Sequence, residues 1–158
     1  MSNMVRSLIL TCAALSAACK PTTGQAPQAA SIPRDQFAQL SFLEGDWRGT
    51  MPDGKPFFER YRVTSDSTIQ MYGYPDSTMT APGDSSRIYW RDNHIYSQGG
   101  SSRYVVASID GNGVRFVPEQ GGNEFTWKQT AEGWRATLNW KDKSGEARSV
   151  VYEMRKLN

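Results

Sequence analysis

Residues 134–141 read Trp134-Arg135-Ala136-Thr137-Leu138-Asn139-Trp140-Lys141, and this stretch decides the fold. Apolar and polar side chains alternate at every step, which is the period of a β-strand with one buried and one solvated face. Turn-forming pairs stand on both sides, Glu132-Gly133 before the stretch and Ser144-Gly145 after it. The sequence therefore predicts a short antiparallel strand between two tight turns.

The same alternation recurs from Gly45 to the end of the chain, with turn signals such as Asp110-Gly111-Asn112-Gly113 between the segments. Short antiparallel strands at this spacing form a sandwich or a barrel, and consecutive hairpins favour an up-and-down barrel without open edges. We predict an all-β fold, an antiparallel barrel of about ten strands. A short helix starting near Ser31 and Pro33 precedes it.

The N-terminal segment has the three-part layout of a secretion signal: a positive charge at Arg6, an apolar run over 8–15 and small residues at 16–18. The string Leu15-Ser16-Ala17-Ala18-Cys19 resembles the lipobox of bacterial lipoproteins. The resemblance implies that residues 1–18 are removed and that Cys19 becomes a lipid anchor carrying palmitate or a similar acyl chain. It places the protein in the bacterial cell envelope, at the outer membrane facing the periplasm. An ordinary cleaved secretion signal is the alternative.

Residues 19–32 are rich in proline and small polar side chains, so they are predicted to be a lipidated flexible tether before a barrel domain over 33–158. The chain has two cysteines, Cys12 and Cys19, and only Cys19 would remain after cleavage. The domain therefore depends on burial rather than on disulfides. The formal charge is +2 without a basic stripe, so nucleic acid is not an expected partner.

The run Phe42-Leu43-Glu44-Gly45-Asp46-Trp47 resembles the opening of lipocalin-like barrels, where a short helix leads into a first strand carrying Gly-x-Trp. The closest resemblance is to small bacterial lipocalin-like domains of unknown function, often found on lipoproteins. In this superfamily the tryptophan packs across the closed end of the barrel beneath an arginine of the last strand. The resemblance implies that Trp47 and Arg155 form this structural plug.

The two-residue repeat of a β-strand shows which side chains share a face, but it does not show which face lies inside the barrel. Large aromatic side chains are costly to leave in water, which favours the inward direction for the aromatic faces. The predicted ligand-binding residues are Phe57, Glu59, Tyr61, Trp90, Tyr104 and Trp127. Two interpretations of Glu59 stay open: a buried acid that orients a ligand, or a solvated acid on the outer surface.

Few residues of the sequence could bind a metal or take part in catalysis. His94 is the only histidine and follows Asn93 in a turn, so a solvated turn residue is expected rather than a metal ligand. No cofactor, metal site or catalytic relay is predicted, and the protein is not expected to be an enzyme. The segment Asp76–Ser86 is the longest interruption, and it is either a lid or a disordered loop.

These observations predict a membrane-tethered periplasmic binding module for a small apolar or amphipathic ligand. The alternative is a structural or inhibitory barrel with a filled core, which would contact a protein partner through its loops. The two differ in one feature: a ligand carrier needs an internal cavity of roughly 300 Å³ or more. The sequence identifies neither the ligand nor a protein partner.

Overall fold

Ten antiparallel strands close into a barrel in a computed structural model that describes residues 28–157. The predicted secretion signal, Cys19 and the predicted tether up to residue 27 lie outside the described residues. The strands are β1 (Gly45–Thr50), β2 (Pro56–Ser65), β3 (Thr68–Tyr74), β4 (Asp84–Arg91), β5 (His94–Gly99), β6 (Ser102–Asp110), β7 (Gly113–Pro118), β8 (Glu124–Thr130), β9 (Gly133–Lys141) and β10 (Ala147–Lys156). The predicted all-β, up-and-down barrel is therefore confirmed.

Each strand pairs with its neighbours in sequence, and β1 also pairs with β10 to close the sheet. In the β1–β10 register Trp47 faces Lys156 and Gly49 faces Met154. Closure removes the free edges that an open sheet would offer to other chains. The hairpins after β1, β3, β5, β7 and β9 lie together at one end of the barrel, which we call the open rim.

A 3₁₀ helix, Arg34–Leu43, covers the opposite, closed end. Pro33 precedes it with φ −55°, close to the value that its ring imposes, so the helix begins directly after this residue. Phe37, Leu40 and Leu43 are buried along the helix face that meets the barrel. The backbone oxygen of Leu43 accepts a hydrogen bond from Trp47 Nε1 at 2.6 Å, which ties the helix to β1.

Residues just before the predicted domain boundary at Pro33 also pack on the barrel. The Ala30 N–H donates to the Val106 oxygen at 2.9 Å, and the Ile32 N–H donates to the Asn93 oxygen at 2.7 Å. Ile32 is also buried in the core. The end of the predicted tether is therefore part of the domain, because the lone aliphatic side chain of Ile32 finds an apolar site at the closed end.

The plug at the closed end contains Trp47 but not Arg155. Trp47 is buried, and its ring meets Trp134 edge-on at 5.9 Å between centroids. Arg155 is exposed and pairs with Glu132 at 2.9 Å. The cation over the Trp47 ring is Lys156, with Nζ 5.8 Å from the ring centroid. Strand alternation explains the correction, because Lys156 shares its face with Met154 and Arg155 points the other way.

The loop between β3 and β4 is shorter than the predicted interruption, because β4 already begins at Asp84. Within it, Met79 is buried and the Thr78 N–H donates to Asp76 Oδ1 at 2.9 Å. This loop is thus a structured part of the open rim, where Pro75 and Gly83 border the barrel interior.

Candidate ligand cavity

The barrel interior holds a cavity of about 830 Å³ that extends from the core to the open rim. Its inner end is bounded by Trp134 and Met154, and its outer end by Met51, Pro75 and Ser102. The inward strand faces are those carrying Phe57-Glu59-Tyr61, Tyr104 and Phe125-Trp127, as expected for the aromatic faces. The core is therefore packed at the closed end and open above it.

Aromatic side chains form one wall of the cavity and fix one another by edge-on contacts. Tyr61 meets Trp127 at 6.2 Å and Trp134 at 5.8 Å between ring centroids, with interplanar angles of 87° and 89°. Tyr104 meets Phe125 at 4.8 Å. Edge-to-face pairs of this kind contribute beyond their buried area, so the wall is preformed.

Between these rings, a polar strip crosses the inner faces of β2 to β6. It carries the carboxyl groups of Glu59 and Asp84 together with small residues, which are Gly73, Gly83, Ser86, Ser97, Gly99 and Ser102. The small side chains leave space that larger side chains would fill. The cavity is thus amphipathic, with aromatic rings beside a strip of acids and hydroxyls.

Two glycines make room for cavity side chains. A Cβ on Gly49 would lie 2.1 Å from the Phe57 ring, so this ring rests directly on the β1 backbone. Gly73 pairs with both Glu59 and Asp84 across the sheet, and a Cβ there would lie 2.0 Å from Asp84 Oδ1. The missing side chain at Gly73 therefore lets the Asp84 carboxylate lean toward Glu59.

Glu59 is the central polar group of the cavity. Burial raises the pKa of its carboxyl to about 7, and the negative charge of Asp84 adds to the rise. The Tyr61 hydroxyl donates a 2.9 Å hydrogen bond to Glu59 Oε2, which favours the ionised form and opposes the shift. Burial also raises the pKa of Tyr61 well above its ordinary value, so this hydroxyl stays a donor near neutral pH. Glu59 can therefore exchange a proton near pH 7.

Trp134 lies at the base of the cavity, where it contacts the rings of Trp47, Tyr61 and Trp127. Among the described residues, its indole N–H is the one buried side-chain polar atom without a hydrogen-bond partner. An unpaired buried donor is costly, and such groups often mark a functional position.

Five of the six predicted ligand-binding residues line the cavity: Phe57, Glu59, Tyr61, Tyr104 and Trp127. Of the two interpretations of Glu59, the structure agrees with the one that places its side chain inside the barrel. Trp90 is not on the cavity wall. It lies at the closed end, where its Nε1 donates to the Ile32 oxygen at 2.8 Å and the Arg34 guanidinium lies 5.7 Å from the ring centroid.

The sequence did not identify several residues that line the cavity, which are Met71, Asp84, Trp134, Leu138 and Tyr152. Most of these stand in the alternating runs and could have been assigned to the cavity once one face was taken as inward. Asp84 could not, because the pattern placed it in a loop.

His94 begins β5 beside a tight turn in which Asp92 and Asn93 have φ of 49° and 59°. Its Nδ1 lies 2.7 Å from the Asp92 oxygen. Within residues 28–157, no group of three or more His, Cys, Asp or Glu side chains could hold a metal ion. His94 is thus a turn residue at the closed end, and it is not among the residues that line the cavity.

No protein-family model matches this sequence, and no curated protein is significantly similar to it. In the part of the chain that the structure describes, no helix is long and apolar enough to cross a membrane. The cavity is therefore the feature from which a function can be inferred.

Proposed function

We propose that this protein is a binding module that holds a small apolar or amphipathic molecule inside its barrel. The observation that carries the proposal is the cavity of about 830 Å³. Small-molecule sites span roughly 300–1,000 Å³ and are lined mainly by apolar and aromatic side chains with a few polar groups. A barrel with a filled interior, the alternative function, would have no such space.

The lining supports an amphipathic ligand. The rings of Tyr61, Tyr104 and Trp127 would cover an apolar body, while Glu59, next to Tyr61 on the inner face of β2, offers a polar contact. The proposal assigns no catalytic residue.

We also propose that the protein is anchored to the bacterial membrane and faces the periplasm. The lipobox-like run ending at Cys19 supports a lipid anchor, and residues 20–27 then separate the anchor from the barrel. A lipocalin-like protein tethered in this way would bind its ligand close to the membrane surface, in the periplasm.

A neutral fluorescent probe tests the proposed binding. N-phenyl-1-naphthylamine, which brightens in apolar surroundings, is titrated into the purified full chain at pH 8. We expect a saturable rise in its emission. Ala136 lines the cavity, so Ala136→Phe should narrow the site and weaken probe binding at least about tenfold.

The matched control is Thr137→Phe, which adds the same ring to the next residue of β9 but on the outer face. It should leave probe affinity within about twofold of the unmodified chain. Equal weakening by both variants, or no saturable emission at all, would overturn the proposed binding site. Thermal melts of both variants establish that each is folded.

A further inference from the structure

The charged groups facing the cavity all have the same sign. Glu59 and Asp84 carry carboxyl groups, and no Lys, Arg or His is among the described residues that line the space. The strands next to β2 place only uncharged residues beside Glu59, which are Trp47 and Gly49 of β1 and Met71 and Gly73 of β3. Tyr61 and Asp84 are therefore the titratable groups nearest Glu59. An anionic ligand would meet repulsion here.

Neither cavity acid has a cationic partner within residues 28–157. The ion pairs of this part of the chain join other groups, such as Asp46 with Arg60 and Arg62 or Glu124 with Arg115. Glu59 accepts one hydrogen bond, from the Tyr61 hydroxyl. Glu59 is half-buried, and a carboxylate that is partly withdrawn from water is stabilised by a nearby positive charge or by protonation, so this site favours a positive charge beside Glu59.

The aromatic wall suits the same charge. The rings of Phe57, Tyr61, Trp127 and Tyr152 enclose the space that Glu59 faces. A cation is attracted to the face of an aromatic ring, most strongly when it is desolvated. The carboxylate and the ring faces therefore both attract a cationic group, and their combination favours a cation over a neutral group.

We propose that the ligand is an organic cation with an apolar body, whose ammonium or similar group lies beside Glu59 and against the neighbouring aromatic rings. This inference rests on the proposed binding function and narrows it to one chemical class. Asp84, brought toward Glu59 across Gly73, adds a second negative charge at the outer side of the same site.

Three probes with the same alkyl chain separate charge from apolar burial: decylamine, 1-decanol and decanoate. Each is titrated calorimetrically into the full chain at pH 8, where Glu59 is mostly ionised. Decylamine should bind at least about tenfold more tightly than 1-decanol, and decanoate more weakly than either. The affinity for decylamine should also fall when the pH is lowered from 8 to 6, as Glu59 takes up its proton.

Glu59→Gln should weaken decylamine binding at least about tenfold while leaving 1-decanol within about twofold. Glu153→Gln is the control, because Glu153 carries the same charge on the outer surface, where it pairs with Arg135. If 1-decanol binds but decylamine binds no better, or if decanoate binds best, the cation inference is overturned and the binding function stands. If none of the three probes binds, the binding function itself is overturned.

Discussion

Replacing Glu59 with Gln should stabilise the protein at alkaline pH and leave it unchanged in acid. The carboxyl pKa is 4.5 in its ordinary state and about 7 in the folded protein, because burial disfavours the charge. The folded protein thus holds this proton more tightly than the unfolded chain does. The contribution of Glu59 to the unfolding free energy is fully present below pH 4.5, decreases as the pH rises toward 7, and is lost above pH 7.

The size of the effect follows from the same two pKa values. At about 1.4 kcal/mol per pKa unit, an ionised Glu59 destabilises the fold by about 3 kcal/mol at pH 8 and by less than about 0.5 kcal/mol at pH 4.5. Gln keeps the shape and can still accept the Tyr61 hydrogen bond. Urea unfolding of the two proteins at both pH values should therefore give a large difference in unfolding free energy at pH 8 only.

Glu153→Gln, on the outer surface, controls for the loss of one negative charge and should change stability little at either pH. A Glu59→Gln variant that is no more stable than the unmodified protein at pH 8 would refute the reasoning, since it would mean that the Glu59 carboxylate is well solvated. The same result would remove the basis for a cation beside it.

Three other perturbations test separate parts of the account. Trp47→Ala should lower the unfolding free energy by about 3–5 kcal/mol in urea titrations, because a buried tryptophan is deleted from the closed end, and a loss under about 1 kcal/mol would contradict its place in the core. Tyr61→Phe should raise the Glu59 pKa above 7, since it removes the hydrogen bond that favours the ionised form; a carboxyl NMR titration measures this, and an unchanged midpoint would argue against the contact. Cys19→Ser should release the protein from the membrane fraction of its host, and an unmodified protein already soluble in the periplasm would contradict the lipid anchor.

Strand alternation was sufficient to predict the barrel and the composition of most inward faces. Phe57, Glu59 and Tyr61 share a side because side chains repeat every two residues, and that relation holds wherever the strand is placed. The cost of exposing rings such as Trp127 then selects the inward direction. Five of the six predicted cavity residues lie on the cavity wall for this reason.

Position along the barrel axis was not predictable in the same way. Trp90 has the expected inward face, but it lies at the closed end, where the segment around Ile32 covers it. No local pattern indicates that Ile32 returns to the barrel, because the contact joins residues far apart in the chain. Height on a strand depends on such long-range pairing, which local periodicity does not contain.

The two remaining differences concern Arg155 and Asp84. The resemblance implies Arg155 in the plug, yet the alternation of Tyr152 and Met154 assigns that face to Lys156. The sequence pattern predicts a loop at Asp84, whereas the residue begins β4, and its approach to Glu59 depends on Gly73, the glycine between them in the sheet. Such a pairing across three strands becomes visible only when the register is known.

The central claim is that a small apolar molecule binds inside the barrel. It is tested most directly by NMR titration of 1-decanol into the ¹⁵N-labelled full chain. Saturable shifts should appear at amides of residues 57–61, 71–73 and 134–138, which border the cavity, while the closed-end turns at 92–93 and 111–112 stay unmoved. Shifts confined to the outer surface or the closed end, or no saturable shifts at all, would contradict the account.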